Sequence, residues 1–285
     1  MAEIWKGAPV VAAMKERMLA DTARLRERGV IPTLAILRVG QREDDLAFER
    51  TAIKRSGTVG VEVRSVALPE DVDQEILVAQ ARVLSEDENV HGLLLMRPLP
   101  GNLNERMVRR AMRPEKDVDG ITGISLAGVF TGSDVGFVPG TAQSVMEILD
   151  YYGVDVKGKR VTVVGRSLVV GKPAAMLLLG RHATVTMCHT RTADLPAETR
   201  RADILVVAAG KRGIIGAEHV SPGQIVIDVG IHVDENGKLC GDVRFDEVEP
   251  IVGAITPVPG GVGTVTTSVM LEHVVRAAKK NVSLD

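Results

Sequence analysis

A strand, a glycine turn and the start of a helix follow one another directly in residues 160–173, whose sequence is Arg-Val-Thr-Val-Val-Gly-Arg-Ser-Leu-Val-Val-Gly-Lys-Pro. The β-branched run ends at Gly165, and an apolar helical pattern follows Pro173. Glycines let backbone N–H groups approach an anion, and the helix dipole favours negative charge at this end. The turn therefore predicts a dinucleotide-binding site, with an ordinary strand-to-helix turn as the alternative. The expected cofactor-binding residues here are Gly165, Arg166, Ser167 and Gly171.

Short aliphatic runs alternate with helical patterns along the chain, which predicts an α/β fold with mostly parallel sheets. The predicted strands are 32–39, 61–68, 91–96, 160–164, 183–187, 204–208 and 224–229. The predicted helices are 14–28, 44–56, 74–84, 104–112, 141–152, 174–179 and 268–280. Residues 113–140 and 232–250 show little periodicity and are interpreted as a connecting region and an irregular polar stretch. We expect an N-terminal α/β substrate lobe over 1–140 and a C-terminal Rossmann-like lobe over 141–285, with the helix 266–285 packing back on the first lobe.

Charge and cysteine content exclude several classes of protein. Lys and Arg number 35 against 37 Asp and Glu, a formal charge of −2, so no basic face for nucleic acid is expected. Two cysteines cannot form a disulfide framework, and no apolar stretch or signal-peptide pattern indicates a membrane or secreted protein. The six histidines lack metal-ligand spacing, so no metal site is expected. A cytoplasmic location is the default expectation.

Two further strand ends of the second lobe have the composition of cofactor-binding loops. The strand 184–187 leads into Cys-His-Thr-Arg-Thr, where dinucleotide-binding folds often hold the ribose with an acidic residue. Thr190 and Arg191 stand there instead, which favours NADP, with NAD as the alternative. After the next buried strand, Gly230 and Ile231 are expected to offer backbone groups to the cofactor.

Three acidic or glycine-rich segments allow a structural and a functional interpretation. Asp228 either accepts N–H groups of the following turn or belongs to a cofactor-facing strand end. The segment Asp117-Val-Asp-Gly is either a plain turn or places Asp119 to pair with donors on a heterocycle. The Pro/Gly-rich residues 257–263 form either a connection between lobes or a rigid loop that offers backbone groups to a ligand.

Six motifs together make the chain resemble the methylenetetrahydrofolate dehydrogenase/methenyltetrahydrofolate cyclohydrolase family over nearly its whole length. They are Pro98-Leu-Pro100, Lys116-Asp-Val-Asp-Gly120, Gly165-Arg-Ser167 with Gly171-Lys-Pro173, Cys188-His-Thr-Arg-Thr192, Asp228-Val-Gly-Ile231 and Thr256-Pro-Val-Pro-Gly-Gly-Val-Gly263. The resemblance implies two α/β lobes with folate in a cleft between them, NAD(P) on the C-terminal lobe and a homodimer. It also implies hydride transfer from methylenetetrahydrofolate to the nicotinamide, followed by hydrolysis of the methenyl product. The substrate-binding residues it implies are Phe48, Met96, Pro98, Asp119, Pro257, Gly260 and Gly261.

The family's catalytic side chains are replaced in this chain. Counted from the Val39-Gly40 turn, the family's Tyr position holds Phe48 and its Lys position holds Ala52. The Gln that cooperates with the Lys is replaced by Met96. Lys54 matches a second, non-catalytic basic position and is expected to point away from position 52. No family catalytic residue is therefore intact.

These replacements remove acid–base chemistry but leave the cofactor motif complete. Cyclohydrolysis requires water activation and stabilisation of an oxyanion, whereas hydride transfer depends mainly on the cofactor and on orientation. The first hypothesis is an NADP-dependent dehydrogenase of methylenetetrahydrofolate, or of a related one-carbon pterin carrier, with weak or absent cyclohydrolase activity. The second keeps the fold and changes the substrate to another imine, because Arg97, Phe137 and the 43–45 turn also depart from the family. The third is a non-catalytic folate- or dinucleotide-binding paralogue.

Overall fold

The computed structural model describes residues 1–284 of the 285-residue chain, so that Asp285, which the predicted C-terminal lobe and helix include, lies outside the described residues. The strands are β1 (Glu3–Ile4), β2 (Thr33–Val39), β3 (Glu62–Leu68), β4 (Gly92–Leu95), β5 (Arg160–Val164), β6 (Thr184–Cys188), β7 (Ile204–Val207), β8 (Ile225–Asp228), β9 (His232–Val233), β10 (Leu239–Cys240) and β11 (Ala254–Ile255). The helices are α1 (Gly7–Glu27), α2 (Glu43–Gly57), α3 (Gln74–Glu86), α4 (Glu105–Ala111), α5 (Gly123–Thr131), α6 (Gly140–Tyr151), α7 (Gly171–Gly180), α8 (Leu195–Arg200), α9 (Phe245–Val248) and α10 (Val262–Asn281). The alternation of strands and helices confirms the predicted α/β class.

The chain divides into two compact units. One contains Met1–Ala12 and Pro139–Thr266 and is called here the six-stranded unit. The other contains Ala13–Val138 and the residues from Thr267 onward and is called the three-stranded unit. The first twelve residues, predicted to lie in the N-terminal lobe, thus belong to the six-stranded unit. The reason is that β1 pairs in parallel with β11, with Glu3 opposite Ala254.

The six-stranded unit is built on one parallel sheet with the order β1-β11-β8-β7-β5-β6. Because β5 lies between β6 and β7, the loops after β5 and β7 diverge to opposite faces of the sheet. This point is the topological switch at which doubly wound sheets bind their ligands. Buried aliphatic side chains from the strands form the core beneath it, including Val164, Leu205, Val207, Val226 and Ile255.

The three-stranded unit has the parallel order β3-β2-β4. Leu34 to Leu37 of the central strand pair with Gly92 to Leu95 of β4, and all of these residues are buried. A strand buried on both faces explains the continuous aliphatic runs in the sequence. The switch point of this sheet lies between the carboxyl ends of β2 and β4.

Two segments differ from the sequence prediction. The connecting region 113–140 contains the helix α5, which Thr122 caps by accepting a hydrogen bond from the Ser125 N–H at 3.1 Å. The polar stretch 232–250 contains the β9–β10 hairpin and the short helix α9. These elements are too short or too uniformly apolar to show a clear hydrophobic period.

None of the helices within residues 1–284 has the length and apolar character that a membrane span requires.

Candidate active site

The turn after β5 is shaped by two glycines that lie against backbone. Gly165 has a φ of +128°, and a Cβ built on it would lie 2.1 Å from the carbonyl oxygen of Ala208. A Cβ on Gly171 would lie 2.2 Å from the carbonyl oxygen of Gly165. Only glycine tolerates both the conformation and the approach. The hydroxyl of Ser167 accepts a hydrogen bond from the Val170 N–H at 3.1 Å, and α7 begins at the following residue.

A cavity of about 420 Å³ opens beside this turn, at the β5/β7 switch point. Four of the predicted cofactor residues line it, namely Gly165, Arg166, Ser167 and Thr190. The other lining residues are Val164, His189, Thr192, Leu195, Ala208, Ala209, Lys211 and Ile214. Among the described residues that line the cavity none is acidic, so its charged side chains are cationic.

The other predicted cofactor residues lie outside this lining. Gly171, the first residue of α7, packs against the backbone of Gly165 in the turn. Arg191 is exposed, and its backbone N–H donates to Nδ1 of His189 at 3.1 Å. Gly230 is buried, and Ile231 is 62% exposed. The lining after β7 (residues 208–214) was not singled out from the sequence, although the strand 204–208 was predicted. Its position beside β5 depends on strand order, which periodicity does not reveal.

Two buried carboxylates hold the loops around the cavity. The Oδ2 atom of Asp242 accepts hydrogen bonds from the N–H groups of Ala209 at 2.7 Å and Gly210 at 2.9 Å. Its Oδ1 atom lies 2.7 Å from Nε2 of His232. Asp242 therefore fixes the loop after β7 from behind, a function that its sequence context did not indicate.

Asp228 is a structural residue. Its carboxylate accepts hydrogen bonds from the N–H groups of Gly230, Asp242 and Val243 at 2.9, 3.1 and 3.0 Å. Burial nevertheless raises its pKa to about 7. This arrangement favours the first interpretation of Asp228, an acceptor that organises the following turn.

The Pro/Gly-rich loop is packed against the start of α1. The Gly7 N–H donates to the carbonyl oxygen of Gly260 at 2.7 Å. Gly260 has a φ of +103°, and a Cβ on Gly261 would lie 2.5 Å from the carbonyl oxygen of Pro257. Pro257 also lines a second, polar cavity of about 470 Å³ together with Asp228. The loop is thus compact up to Gly261, and residues 262–263, which were predicted to lie in it, are the first two residues of α10.

Of the three replaced catalytic positions, Met96 lies at the end of β4, and Phe48 and Ala52 lie on α2, the helix that follows β2. Met96 follows β4, donates its N–H to the carbonyl oxygen of Leu37 at 2.9 Å, and is 7% exposed. Arg42 reaches across from the β2 turn and donates through Nη1 to the carbonyl oxygen of Pro98 at 3.0 Å. The turn after β2 and the Pro-Leu-Pro loop are therefore neighbours.

Helix α2 carries the position of the family's lysine on its buried face. Ala52 is fully buried, whereas Phe48 is 38% exposed and Lys54 is exposed. Lys54 thus lies on a different face from position 52, as its helical displacement predicts. The buried face of α2 also carries two carboxylic acids, Asp45 and Glu49.

An ion pair lies one helical turn from Ala52. Nε of Arg38 donates to Oε2 of Glu49 at 2.8 Å, and the two side chains are 16% and 10% exposed. A second nitrogen of Arg38 donates to the carbonyl oxygen of Gly40. Because residues three apart on a helix are neighbours, the Glu49 carboxylate with its arginine partner lies close to position 52 on this face.

Asp117 and Asp119 have different surroundings, although they are separated by one residue. Asp117 is fully buried and accepts hydrogen bonds from Ile121, Thr122 and Ser125, so it organises the turn before α5. Asp119 is partly exposed and accepts a hydrogen bond from Arg97 at 2.8 Å. Burial raises the pKa of Asp119, and the Arg97 guanidinium acts in the opposite direction. Within residues 1–284, no group of His, Cys, Asp and Glu is arranged to hold a metal ion.

The sheet order of the six-stranded unit and the glycine turn at its switch point define a Rossmann-like, dinucleotide-binding α/β protein. Comparison with known families makes the assignment specific. A model of the NAD(P)-binding domain of tetrahydrofolate dehydrogenase/cyclohydrolase matches residues 139–282, and a model of the catalytic domain matches residues 5–119. The chain belongs to this family and is a methylenetetrahydrofolate dehydrogenase-like oxidoreductase, as the resemblance in the sequence implies.

Individual relatives are similar over nearly the whole chain. The "Bifunctional protein FolD" of Carboxydothermus hydrogenoformans is 49% identical over 281 residues, which are 98% of each chain. The crystal structure of the bifunctional FolD enzyme from Campylobacter jejuni has a TM-score of 0.95 at 36% identity, covering 99% of this chain and 100% of its own. The Trypanosoma brucei dehydrogenase-cyclohydrolase, described as complexed with NADP cofactor and an inhibitor, has a TM-score of 0.91 at 35% identity, with 99% and 98% covered.

Proposed function

We propose that this chain is an NADP-dependent dehydrogenase of 5,10-methylenetetrahydrofolate, or of a related one-carbon pterin carrier, and that its cyclohydrolase activity is weak or absent. The observation that carries the second part is the fully buried Ala52 on the face of α2 where the family has a lysine. The names of the relatives describe bifunctional proteins and do not support this loss. The proposal therefore rests on the residues of this chain.

The cofactor assignment is supported by the turn after β5 and by the cavity beside it. Arg166 and Ser167 are exposed shortly before α7 begins, and a diphosphate is favoured at such a helix N-terminus. Arg166 and Lys211 supply positive charge in a lining without carboxylates, which suits the 2′-phosphate of NADP better than the ribose hydroxyl of NAD. We further assign Gly171, Thr190, Arg191, Gly230 and Ile231 to this cofactor site.

Two groups of residues are assigned to the binding of the substrate. The first group, in the three-stranded unit, is Phe48, Met96, Pro98 and Asp119. The second group, in the loop before α10, is Pro257, Gly260 and Gly261. Asp119 is the one acidic group among them, and its partly exposed carboxylate can accept hydrogen bonds from N–H groups of a pterin.

The replaced side chains affect the two reactions differently. NADP, when bound, supplies the hydride acceptor, and the protein contributes orientation and exclusion of water. Methenyl hydrolysis needs a proton acceptor near the carbon that water attacks, and Ala52, Phe48 and Met96 offer none. Loss of the lysine charge also removes repulsion of the cationic methenyl product. The buried acid Asp45 on the same helix face is compatible with that cation, whereas the Glu49 carboxylate is already paired with Arg38.

Two absorbance assays test the proposal on the purified protein. NADP and methylenetetrahydrofolate should yield NADPH, and added methenyltetrahydrofolate should disappear at the rate measured in buffer alone. Methenyl hydrolysis well above that rate would overturn the claimed loss of cyclohydrolase activity. Absence of NADPH formation together with tight binding of both ligands would replace the proposal with a non-catalytic paralogue.

A second candidate is a different imine-type substrate, and the guanidinium of Arg97 on Asp119 favours it, because this pairing changes the recognition surface. Thermal-shift measurements distinguish the two substrate classes, since only a class that binds raises the melting temperature.

The family resemblance further suggests a cytoplasmic homodimer. Light scattering on the purified protein checks whether it is a dimer.

A further inference from the structure

Asp119 carries a partner that the family's pattern does not provide. Arg97 stands where the family has an apolar residue in its Gln-Leu-Pro sequence, and its Nη2 atom donates to Oδ2 of Asp119 at 2.8 Å. Arg97 and Asp119 are separated by 22 positions in the chain, and their side chains are 25% and 27% exposed. The pair therefore lies at a partly open surface that a ligand can reach.

The arginine is held in this position by a second acidic residue. Nη1 of Arg97 lies 3.6 Å from Oε1 of Glu105 at the start of α4, and Nε of Arg109 lies 3.4 Å from the same oxygen. Arg109 in turn donates to the carbonyl oxygen of Ile121 at 3.3 Å. The guanidinium of Arg97 is thus fixed between two carboxylates instead of extending into solvent.

This pairing changes which hydrogen-bonding groups the site offers. A lone carboxylate presents two acceptors and is complementary to two adjacent N–H donors. In the pair, Oδ2 is occupied by Arg97, while Oδ1 makes no hydrogen bond within the described residues. Arginine has five N–H donors, so a donor stands beside the remaining acceptor. Such a surface is complementary to a lactam edge, in which an N–H is adjacent to a carbonyl oxygen.

We propose that Arg97 determines substrate specificity by forming, with Asp119, a donor–acceptor pair that recognises the lactam edge of a pterin-like ring. A lone aspartate at this place would instead favour the amino group and its neighbouring ring N–H. This inference rests on the proposed function, because it assumes that Asp119 faces the heterocycle of the substrate.

Three stable folate probes separate the two modes of recognition in calorimetric titrations. Folic acid has both the lactam and the 2-amino group, 2-desamino-folic acid has the lactam alone, and the 4-amino analogue lacks the lactam. The wild-type protein should bind the first two with similar affinity and the 4-amino analogue at least about tenfold more weakly, because a mismatched polar group is left unpaired. In Arg97→Leu the 4-amino analogue should bind more tightly than 2-desamino-folic acid, the reverse of the wild-type affinities. Arg97→Lys should keep the wild-type preference for 2-desamino-folic acid, with a smaller difference in affinity.

Glu105→Gln is the matched control, since it neutralises a neighbour of Arg97 and leaves the Arg97–Asp119 bond in place. It should keep the wild-type order of the three probes, and thermal melting establishes that each variant is folded. An unchanged order in Arg97→Leu, with normal dehydrogenase activity, would overturn the inference alone. Failure of every probe to bind the wild-type protein would overturn it together with the folate part of the proposed function.

Discussion

The two switch points of this molecule are built in different ways. Between β5 and β7 the site is shaped by backbone, because Gly165 and Ala208 approach each other closely beside the cavity that both residues line. Between β2 and β4 the surroundings are made from charged side chains, with ion pairs of Arg38 with Glu49 and of Arg97 with Asp119.

This difference between the two switch points shows which parts of a site depend on the backbone conformation and which depend on individual side chains. A backbone anion site depends on conformation, so the glycines that create it leave little room for substitution. Chemistry carried by side chains changes by single replacements that leave the helix and the strands intact, as Ala52 does on α2. We therefore expect this family member to have kept its cofactor half and changed its catalytic half.

The largest expected effect is the return of cyclohydrolase activity. The triple variant Phe48→Tyr, Ala52→Lys and Met96→Gln restores a proton-transferring group and its neighbours. General acid–base catalysis contributes typically about 10²–10⁴-fold, so methenyl hydrolysis should rise by about that factor over the parent protein. Stopped-flow absorbance of methenyltetrahydrofolate measures the change.

Lys54 provides the control for this restoration. Lys54→Ala in the parent protein should change neither activity, because its side chain lies on the exposed face of α2. If Lys54→Ala removed a cyclohydrolase activity of the parent protein, the exposed lysine would be a substitute catalyst. The contrast between the two switch points would then be wrong.

The next effect concerns the backbone site. Gly165→Ala places a methyl group 2.1 Å from the Ala208 carbonyl oxygen at a φ of +128°, so we expect a loss of about 3 kcal/mol in the free energy of unfolding. The affinity for NADP should fall with it, because the turn must shift. Urea unfolding and calorimetric titration measure both.

Gly180→Ala is matched to this variant within the same strand–turn–helix segment. A Cβ at Gly180 meets nothing within 4 Å, and alanine at the end of α7 should be neutral or slightly stabilising. Equal free energies of unfolding for the two variants would show that the turn after β5 accommodates a side chain at residue 165 without loss of stability.

The two sites also differ in how much the sequence reveals of them. The glycine turn was predicted because strand, turn and helix lie within fourteen consecutive positions, 160–173, and each has a local signal. The Arg97–Asp119 pair was not predicted, although both residues were noted, because residues 22 positions apart meet only after β4 and the turn before α5 are placed. The edge position of β1 likewise depends on its pairing with β11, about 250 residues away. Non-local contacts of this kind carry no period in the sequence.

A smaller contrast lies in the dependence of stability on pH. His273, on α10 in the three-stranded unit, lies 2.9 Å through Nδ1 from the carbonyl oxygen of Val118, and burial lowers its pKa to about 4 from 6.5. As the pH falls, the unfolded chain therefore takes up a proton on His273 before the folded chain does. The free energy of unfolding consequently decreases between pH 6.5 and pH 4, by at most about 3 kcal/mol. His273→Asn keeps a donor for Val118 and should flatten this part of the stability profile.

In the six-stranded unit Asp228 should act in the opposite direction. Its pKa is raised by burial from 3.8 to about 7, so the folded state holds the proton longer and stability falls as the pH rises through this range. Hydrogen exchange followed peptide by peptide resolves the two units. Parallel pH profiles in both units would contradict the assigned directions.

The smallest expected effect tests which cations of the backbone site recognise NADP. Arg166 lines the cavity, whereas Arg191, which the sequence favours as a partner of the 2′-phosphate, lies outside its lining. Arg166→Gln should weaken NADP binding about tenfold and leave NAD binding unchanged, since a charge-assisted hydrogen bond contributes about 1.5–3 kcal/mol and is made only to the phosphate. Arg191→Gln should have a smaller effect on NADP, and Arg181→Gln at the end of α7, where the arginine pairs with Asp150, should have none. Equal losses for NADP and NAD in Arg166→Gln would show that this arginine binds the shared diphosphate, and the cofactor preference would then have to come from Lys211 or Thr190.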